Sequence, residues 1–375
     1  MKVALGIFVY FPYGGLQADM KKIAAELASR GAEVTIFTGA WRDAERPEGI
    51  RVVELDISGA SSHARAEDFA RKFHRAAADV DVKIAFNRFG GCGFYFAADD
   101  CFAAELARRR GAFLLKCLPR YRIFSALERE IFSPRSATKI LYIAPRQYEE
   151  FRAVYGTQEE RFFLLPPGIG EEFVPPDAAR RRECRSALEI GDGELSALFV
   201  AAQWQLKGGD RILAAFARLP GEIRKRLRLD FVGHAPASAR RLAERYGISD
   251  RCRFHGVRPH TENFYQAADV LLHPARKEAA GNVIAEALGC GIPVISSGLC
   301  GFSSLVEEAG AGIVLPEPFD PAAFVRACEE WFARRGEFSS RALRASSTLF
   351  LRGRASVAAD IILNSVGGRG PDPAV

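Results

Sequence analysis

Short apolar runs alternate with amphipathic helical segments along most of this chain, and this alternation restricts the possible folds more than any other feature. The first run, Met1–Tyr10, has the character of a buried strand, and a turn with two glycines separates it from a helical pattern over Leu16–Arg30. The next strand is predicted at Val34–Phe37, and the order of strand and helix then repeats. This order predicts parallel sheets with helices on both faces.

The alternation is interrupted once, near the middle of the chain. Phe163–Leu165 is strand-like, Pro166–Gly168 ends it, and the polar, arginine-rich stretch Glu171–Arg185 follows. A second alternating series then begins, and a chain of 375 residues is long enough for two domains. We therefore expect an N-terminal domain over 1–166, a C-terminal domain over 167–345, a helical segment over 346–366 that returns to the N-terminal domain, and a disordered tail over 367–375.

The composition excludes several classes of protein. With 48% hydrophobic and 26% charged residues, the chain is not expected to be disordered, collagen-like or a coiled coil. It contains no run of about 18 uncharged apolar residues, so the sequence predicts no transmembrane helix. The eight cysteines form no Cys-x-x-Cys pair, which is typical of reduced, mostly buried thiols in a cytosolic protein.

Nearly all of the net charge of +6 lies in one segment, residues 101–135, which holds 8 basic and 3 acidic residues. Its arginines, in the runs Arg108–Arg110 and Arg120–Arg122 among others, are interleaved with aromatic and aliphatic side chains. This mixture favours an anionic membrane surface, where each nearby basic residue contributes about 1 kcal/mol. A solvated helix is the alternative, and nucleic acid is a poorer fit because no nucleic-acid-binding motif accompanies the segment.

The segment Pro274–Ala287 carries the most chemical information. It follows a predicted strand and enters a helix whose N-cap is expected at Gly281 or Asn282, which is where open α/β sheets bind ligands. The small residues before the helix would let a phosphate approach the free N–H groups at the helix start. Glu278 precedes this turn and Glu286 lies about one helical turn beyond it, so both carboxylates could accept hydrogen bonds from sugar hydroxyls.

Several further segments occur in an order that matches one known family. They are Phe11–Gln17, Phe94–Asp99, Arg120–Arg122, Leu165–Ile169, Lys207–Gly208, Leu271–Ala275 and Glu278–Gly281. Together with the Glu-x7-Glu pattern of Glu278 and Glu286, they resemble the retaining glycosyltransferases of family 4, and among those the lipopolysaccharide core glucosyltransferases. The resemblance runs from Val3 to about Leu363 and implies an α/β fold of the GT-B type, with two Rossmann-like parallel-sheet domains that face each other across a cleft.

The resemblance also implies roles in binding the sugar donor. Glu286 matches the glutamate that holds the nucleotide ribose, and Glu278 matches the one that contacts the transferred sugar. Lys207 matches the lysine that neutralises the diphosphate leaving group, which a fixed cation can stabilise in the transition state. The remaining donor-binding positions implied are Gly14, Gly15, Ala280, Gly281, Asn282 and Val283.

One departure from the family pattern affects the diphosphate. Relatives often place an arginine beside the lysine, whereas Leu206 precedes Lys207 here. Arg211 and Arg276 are the candidates that could compensate, and donor affinity depends on whether they do.

Acceptor binding is expected from the N-terminal domain. Asp99 is placed with Glu278 and Lys207 among the catalytic residues, where it would position the acceptor hydroxyl, and a helix cap is its alternative role. Asp19 and Arg120 are the expected acceptor-binding residues, although a charge in the first turn of a helix explains Asp19 equally well.

The function that the resemblance implies is transfer of a hexose, with glucose expected, from a UDP-sugar to an inner-core heptose of lipopolysaccharide. The transfer would retain the anomeric configuration by front-face displacement, without a nucleophilic carboxylate, a cofactor or a metal. The protein would be cytoplasmic and peripherally bound to the inner face of the inner membrane through residues 101–135, and no nucleic-acid partner is expected.

Three alternatives stay open at this point. A related glycosyltransferase could act on a different glycan or lipid acceptor, and Leu206 is compatible with a sugar-nucleotide-binding protein whose catalysis has weakened. An NAD(P)-dependent dehydrogenase shares the alternation of strands and helices, but no Gly-x-Gly-x-x-Gly follows the first strand.

Overall fold

The structure, a computed structural model, describes residues 1–12, 14–108, 112–347 and 353–366. The described residues form two compact units. The first comprises Met1–Gly168 together with a C-terminal helix, and the second begins at Ile169 and extends through a long helix that ends at Ser346. The tail over 367–375 that the sequence predicts to be disordered lies outside the described residues.

The first unit is built on a parallel sheet in the order β3-β2-β1-β4-β5-β6-β7. Its strands are β1 (Lys2–Ile7), β2 (Glu33–Thr38), β3 (Arg51–Glu54), β4 (Val82–Ala85), β5 (Phe94–Ala97), β6 (Lys139–Tyr142) and β7 (Phe162–Leu164). Its helices up to the junction are α1 (Gly15–Ser29), α2 (Ser62–Ala76), α3 (Phe102–Ala107), α4 (Ala112–Lys116), α5 (Pro119–Phe132) and α6 (Pro145–Tyr155). The strand order reverses between β1 and β4, which is the kind of switch point where ligands bind in α/β sheets.

The second unit has a parallel sheet in the order β10-β9-β8-β11-β12-β13. Its strands are β8 (Leu195–Ala201), β9 (Leu227–Gly233), β10 (Cys252–Gly256), β11 (Val270–His273), β12 (Val294–Ser297) and β13 (Gly312–Leu315). Its helices are α7 (Ala178–Ala187), α8 (Gly209–Phe216), α9 (Gly221–Arg226), α10 (Ala237–Arg245), α11 (Glu262–Ala267), α12 (Asn282–Gly289), α13 (Ser303–Ala309) and α14 (Pro321–Ser346). The reversal of strand order lies between β8 and β11.

Aromatic side chains fill the core of each unit. In the first, Phe89 packs edge-on against Phe69 and Phe73, with ring centroids 5.6 and 5.2 Å apart. In the second, Phe231 stacks on Phe254 at 4.9 Å. Large rings such as these remove much apolar area from water and help to hold the helices on the sheets.

The C-terminal helix, α15 (Arg354–Val366), belongs to the first unit and packs on α1. Arg30 near the end of α1 forms an ion pair with Asp360 and a 2.8 Å hydrogen bond to the Ser356 hydroxyl. The two helices are therefore joined although more than 300 residues separate them in sequence. Helix α14 contains one interruption, at Arg334, where the backbone departs from helical geometry before the helix resumes.

None of the helices in the described part of the chain is long and apolar enough to span a bilayer. All eight cysteines are free thiols, and every one except Cys117 is buried.

Candidate functional site

Lys207 and Glu278 are brought together by the order of strands in the second sheet. Lys207 follows β8 and Glu278 follows β11, and these two strands are neighbours at the switch point. Because parallel strands end at the same edge, the two following loops meet. Gly208 permits the approach, since its φ is +86° and a Cβ there would lie 2.2 Å from the carbonyl oxygen of Pro274.

Glu278 is held by two nitrogen groups on one of its oxygens. Lys207 Nζ lies 2.8 Å from Oε2 and His273 Nε2 lies 3.2 Å from the same atom. Burial alone would raise the pKa of Glu278, but the hydrogen bond from His273 and the charge of Lys207 lower it below its ordinary value. Glu278 is therefore an ionised, hydrogen-bond-accepting carboxylate at neutral pH.

The start of α12 provides a site for an anion beside this carboxylate. Gly281 is the N-cap, with φ of +88°, and a Cβ there would lie 3.2 Å from Glu278 Cγ. The N–H groups of Asn282 and Val283 open the helix, where the helix dipole favours negative charge. Asn282 Oδ1 is buried without a hydrogen-bond partner in the described part of the chain. Ala280, which precedes the cap, is buried.

Glu286 lies further along α12 and is fixed by a tyrosine that the sequence did not indicate. The Tyr265 hydroxyl, on α11, donates a 2.6 Å hydrogen bond to Glu286 Oε2. Tyr265 is fully buried and packs edge-on against Phe173. Burial and the adjacent carboxylate raise the pKa of Tyr265 well above its ordinary value, so the phenol stays protonated and keeps donating.

Both arginines that could compensate for Leu206 lie at these loops and bind protein groups. The guanidinium of Arg276 forms two 2.7 Å hydrogen bonds with Asp210. The backbone N–H of Arg276 donates a hydrogen bond to the carbonyl of Leu206. Arg211 donates to the carbonyl of Pro274 and stacks over a phenylalanine ring. The structure therefore uses both side chains to join the two loops.

In the first unit, Gly14, Gly15 and Asp19 lie on the segment that follows β1. Gly14 is the N-cap of α1 and Gly15 is its first residue, with open space where a Cβ would be. Asp19 is buried and accepts a 2.6 Å hydrogen bond from Arg354 Nη1 of α15. The acceptor-binding role of Asp19 remains a prediction, and the structure shows that this carboxylate pairs with Arg354 within the first unit.

Asp99 follows β5, at the same edge of the sheet as Gly14. Its carboxylate is 57% exposed and lies 3.5 Å from Arg88, which also forms an ion pair with the fully buried Glu128 of α5. Asp100 supplies a carbonyl to the same arginine. Arg88 therefore links the loop that carries Asp99 to the basic segment 101–135.

Arg120 lies in the first turn of α5 with its guanidinium 6.0 Å from the centre of the Phe124 ring. The neighbouring helix α4 exposes Phe113 and Leu114, with 81% and 72% of their surfaces accessible. Arg109 and Arg110 of the arginine run, with Gly111 after them, lie outside the described residues. The basic segment thus combines exposed apolar and cationic side chains.

Among the residues that the structure describes, no group of three or more His, Cys, Asp or Glu side chains is close enough to hold a metal ion. The charged groups at the site in the second unit include Lys207, Glu278 and Glu286, and the N–H groups of α12 lie beside them.

The comparisons with known proteins cover both units. Residues 14–168 match the family model described as a glycosyl transferase 4-like domain, and residues 180–345 match glycosyl transferases group 1. The lipopolysaccharide glucosyltransferase WaaG of Escherichia coli (strain K12) is 35% identical over 324 residues, which are 85% of this chain and 86% of its own.

Two further similarities agree with these. A crystal structure of WaaG, described as a glycosyltransferase involved in lipopolysaccharide biosynthesis, superimposes with a TM-score of 0.87 at 32% identity, over 96% of this chain and 99% of that one. A D-inositol 3-phosphate glycosyltransferase of Xylanimonas cellulosilytica is 28% identical over 83% of this chain and 81% of its own. The predicted fold class, two Rossmann-like parallel-sheet domains of the GT-B type, is confirmed.

Proposed function

Because this chain belongs to the group 1 glycosyltransferases, the family that its motifs predicted, we propose that it transfers glucose from UDP-glucose to an inner-core heptose of lipopolysaccharide. That it is a glycosyltransferase follows from its family. The observation that carries the proposal further is the placement of Lys207 within 2.8 Å of Glu278, at the start of α12. The similarity to WaaG, a lipopolysaccharide glucosyltransferase, supports glucose as the sugar and lipopolysaccharide as the acceptor.

The nucleotide end of the donor is assigned to α12. The half-buried carboxylate of Glu286 accepts hydrogen bonds from the ribose hydroxyls, while Tyr265 holds it in place. The diphosphate lies at the N–H groups of Asn282 and Val283, where the helix dipole contributes about 0.3–1 kcal/mol for a surface charge. Lys207 neutralises the charge that develops on the departing diphosphate, an effect typically worth about 10²- to 10³-fold in rate for one such group.

Glu278 is assigned to the transferred sugar. As an ionised carboxylate it accepts hydrogen bonds from sugar hydroxyls and helps to orient the anomeric carbon. Retention of the anomeric configuration is assigned to front-face displacement, in which the leaving phosphate oxygen takes the proton of the acceptor hydroxyl. This scheme uses neither a nucleophilic carboxylate nor a metal, since Lys207 and the helix start carry the leaving-group charge.

The acceptor side is assigned to the first unit. Asp99 is exposed and positioned by Arg88, so it can accept a hydrogen bond from an acceptor hydroxyl. Arg120 is a cation for the phosphate groups of the lipopolysaccharide core, and Asp19 on α1 is kept as a predicted acceptor-binding residue. An enzyme of the same family that acts on another glycan or lipid is the second candidate, supported by the similarity to the D-inositol 3-phosphate glycosyltransferase.

We further propose that the segment 101–135 holds the enzyme on an anionic membrane surface, at the inner face of the inner membrane. Helix α4 presents Phe113 and Leu114 for insertion at the interface, next to Lys116. The first unit also contains an open cavity of about 1550 Å³, and Arg122 and Arg129 line it together with apolar residues. The net positive charge of the segment matches the negative surface potential of such a leaflet.

The catalytic assignment is tested with Lys207→Met, which keeps much of the side-chain volume and removes the charge. UDP release from UDP-glucose is measured with lipopolysaccharide truncated at the inner-core heptose as acceptor. We expect kcat to fall about 10²- to 10³-fold. The matched control is Lys225→Met, an exposed lysine on α9, which should leave kcat unchanged. Transfer by Lys207→Met within threefold of the wild-type rate would exclude the assignment.

The membrane assignment is tested with the double variant Lys116→Gln, Arg120→Gln. Co-sedimentation is measured with vesicles of phosphatidylglycerol and with vesicles of phosphatidylcholine. Two basic residues at about 1 kcal/mol each predict about a 30-fold weaker association with the anionic vesicles. Lys225→Gln serves as the control, and binding that is equal on both vesicle types would contradict the proposal.

A further inference from the structure

His273 is the last residue of β11 and contacts Glu278 from inside the second unit. Only 1% of its side chain is exposed, whereas 20% of Lys207 and 17% of Glu278 are. The strand on which it lies is held by pairing with β12, where His273 is opposite Ser296. The ring is thus fixed by the sheet, while the lysine that shares its carboxylate partner lies on a loop.

The hydrogen-bond partners of His273 show which of its ring nitrogens carries the hydrogen donated to Glu278. Glu278 is ionised and can only accept, so the 3.2 Å contact requires a proton on His273 Nε2. Nδ1 is buried, and no described residue hydrogen-bonds to it. A proton there would leave a buried N–H without an acceptor, which costs more than an unused lone pair. The hydrogen bond therefore runs from His273 Nε2–H to Glu278 Oε2.

We propose that His273 is a positioning residue for the transfer reaction, which holds Glu278 in place when Lys207 turns from this carboxylate to the diphosphate of the donor. This inference rests on the proposed function. Lys207 contacts Glu278 at 2.8 Å and the carbonyl of Lys277 at 3.1 Å. Binding of the diphosphate offers it a new anionic partner, and the carboxylate then depends on the histidine.

The loop that carries Glu278 is anchored at two other points, which leaves the carboxylate end to His273. The Ser297 hydroxyl donates a 2.7 Å hydrogen bond to the carbonyl of Ala275. The backbone of Glu278 also forms an isolated parallel β-bridge with the backbone of Cys300. These contacts fix the backbone on both sides of the loop. Within the described part of the chain, the hydrogen bonds to the carboxylate itself come from Lys207 and His273.

The proposal predicts that removing the N–H group of His273 disturbs the position of the transferred sugar. Binding of the nucleotide should be unaffected. In His273→Leu, kcat/KM for transfer from UDP-glucose should fall about 10- to 100-fold, the range expected for a hydrogen bond to a charged group. The Kd of UDP, which lacks the sugar that Glu278 contacts, should stay within threefold of the wild-type value. His273→Gln, whose amide N–H lies close to the position of Nε2–H, should restore kcat/KM to within about fivefold.

The matched control is His255→Leu. His255 Nε2 also contacts a carboxylate in the same unit, Asp230 Oδ1 at 2.8 Å, but that pair lies outside the site. This variant should lower the Tm without changing kcat/KM of the folded enzyme. If His273→Leu does not fold, His273→Gln is compared with His273→Asn, whose shorter side chain cannot place an N–H at the same point, and only the glutamine variant should retain activity.

Two results would overturn the inference. One is an equal loss of kcat/KM in the glutamine and leucine (or asparagine) variants, and the other is a Kd for UDP that weakens in parallel with kcat/KM, as a merely structural role would produce. Glu278→Gln separates this from failure of the proposed function. If it transfers glucose at the wild-type rate, the assignment of Glu278 is wrong, whereas a loss there without any loss in His273→Leu refutes only the role of the histidine.

Discussion

The buried ion pair between Asp19 and Arg354 should be essential for the stability of the first unit. Only 7% of Asp19 and 3% of Arg354 are exposed, and the Arg354 Nη1 to Asp19 Oδ2 distance is 2.6 Å. Arg354 Nε also donates a 2.9 Å hydrogen bond to the carbonyl of Pro166. The substitution Arg354→Met removes the charge and both hydrogen bonds while keeping a long apolar stem.

The expected loss follows from what remains buried. Removing one partner of a buried ion pair costs about 3–5 kcal/mol, because the other charge is left uncompensated. For domains of about 150–250 residues, each kcal/mol lowers the Tm by roughly 2–4 °C. The transition of the first unit, measured by differential scanning calorimetry at pH 7, should therefore move down by roughly 6–20 °C.

The pH dependence of this loss has a definite sign. Burial raises the pKa of Asp19, and Arg354 opposes that rise, so the pKa should be higher still in Arg354→Met. A carboxyl whose pKa is higher in the folded state than in the unfolded state binds its proton more readily when folded, and stability then increases as the pH falls. The difference in Tm between the variant and the wild type should accordingly shrink toward acidic pH.

Arg30→Met is the matched control, since Arg30 joins the same two helices through a half-exposed ion pair with Asp360. Such pairs contribute about 0–1 kcal/mol, so a small shift is expected. If Arg354→Met destabilises the protein no more than Arg30→Met, or if its loss is the same at every pH, the reasoning is refuted. Asp19→Asn also tests acceptor binding. The predicted role is supported if the transfer rate falls by more than the loss of folded protein explains.

Two further outcomes follow from other buried contacts. Tyr265→Phe keeps the packing but removes the hydrogen bond to Glu286, and it should raise the Kd of UDP about tenfold or more, measured by isothermal titration calorimetry; an unchanged Kd would contradict the role of this carboxylate. Burial would raise the pKa of Asp230, but hydrogen bonds from His255 and Arg228 lower it from 3.8 to about 2. The ionised carboxylate therefore contributes about 2 kcal/mol to the free energy of unfolding above pH 4, and this contribution should be lost as the pH falls toward 2. Urea unfolding of wild type and Asp230→Asn across this range should therefore show a stability difference that decreases with acidity, and a constant difference would disprove it.

The periodicity of the sequence was informative where strands are long or flanked by clear helices. The opening strand and the turn that carries Glu278 follow from apolar runs and punctuation by glycine and proline, whereas Lys207 was indicated only by the resemblance to the family. Strands β5 and β6 were not predicted as strands: Phe94–Asp99 was indicated only as a segment that resembles the family, and Lys139–Tyr142 was not distinguished from its surroundings.

The partners of the site residues could not be predicted, because they are contacts over long sequence separations. Tyr265 reaches Glu286 from another helix, and Arg354 reaches Asp19 across 335 residues. His273 lies only five residues before Glu278, yet its role depends on the direction of its ring, which the order of residues does not state. Side-chain direction within a folded sheet is set by the pairing of strands and by packing.

The return of α15 to the first unit has a consequence for building chimaeras of this enzyme with its relatives. The second unit is one uninterrupted stretch of chain, so it can be exchanged as a cassette with junctions near residues 168 and 352. A chimaera made with a single crossover after Gly168 would also import a foreign α15 and place a residue of different origin against Asp19. We expect single-crossover chimaeras to fail wherever that residue is not arginine, while double-crossover cassettes that keep Arg354 retain the first unit intact.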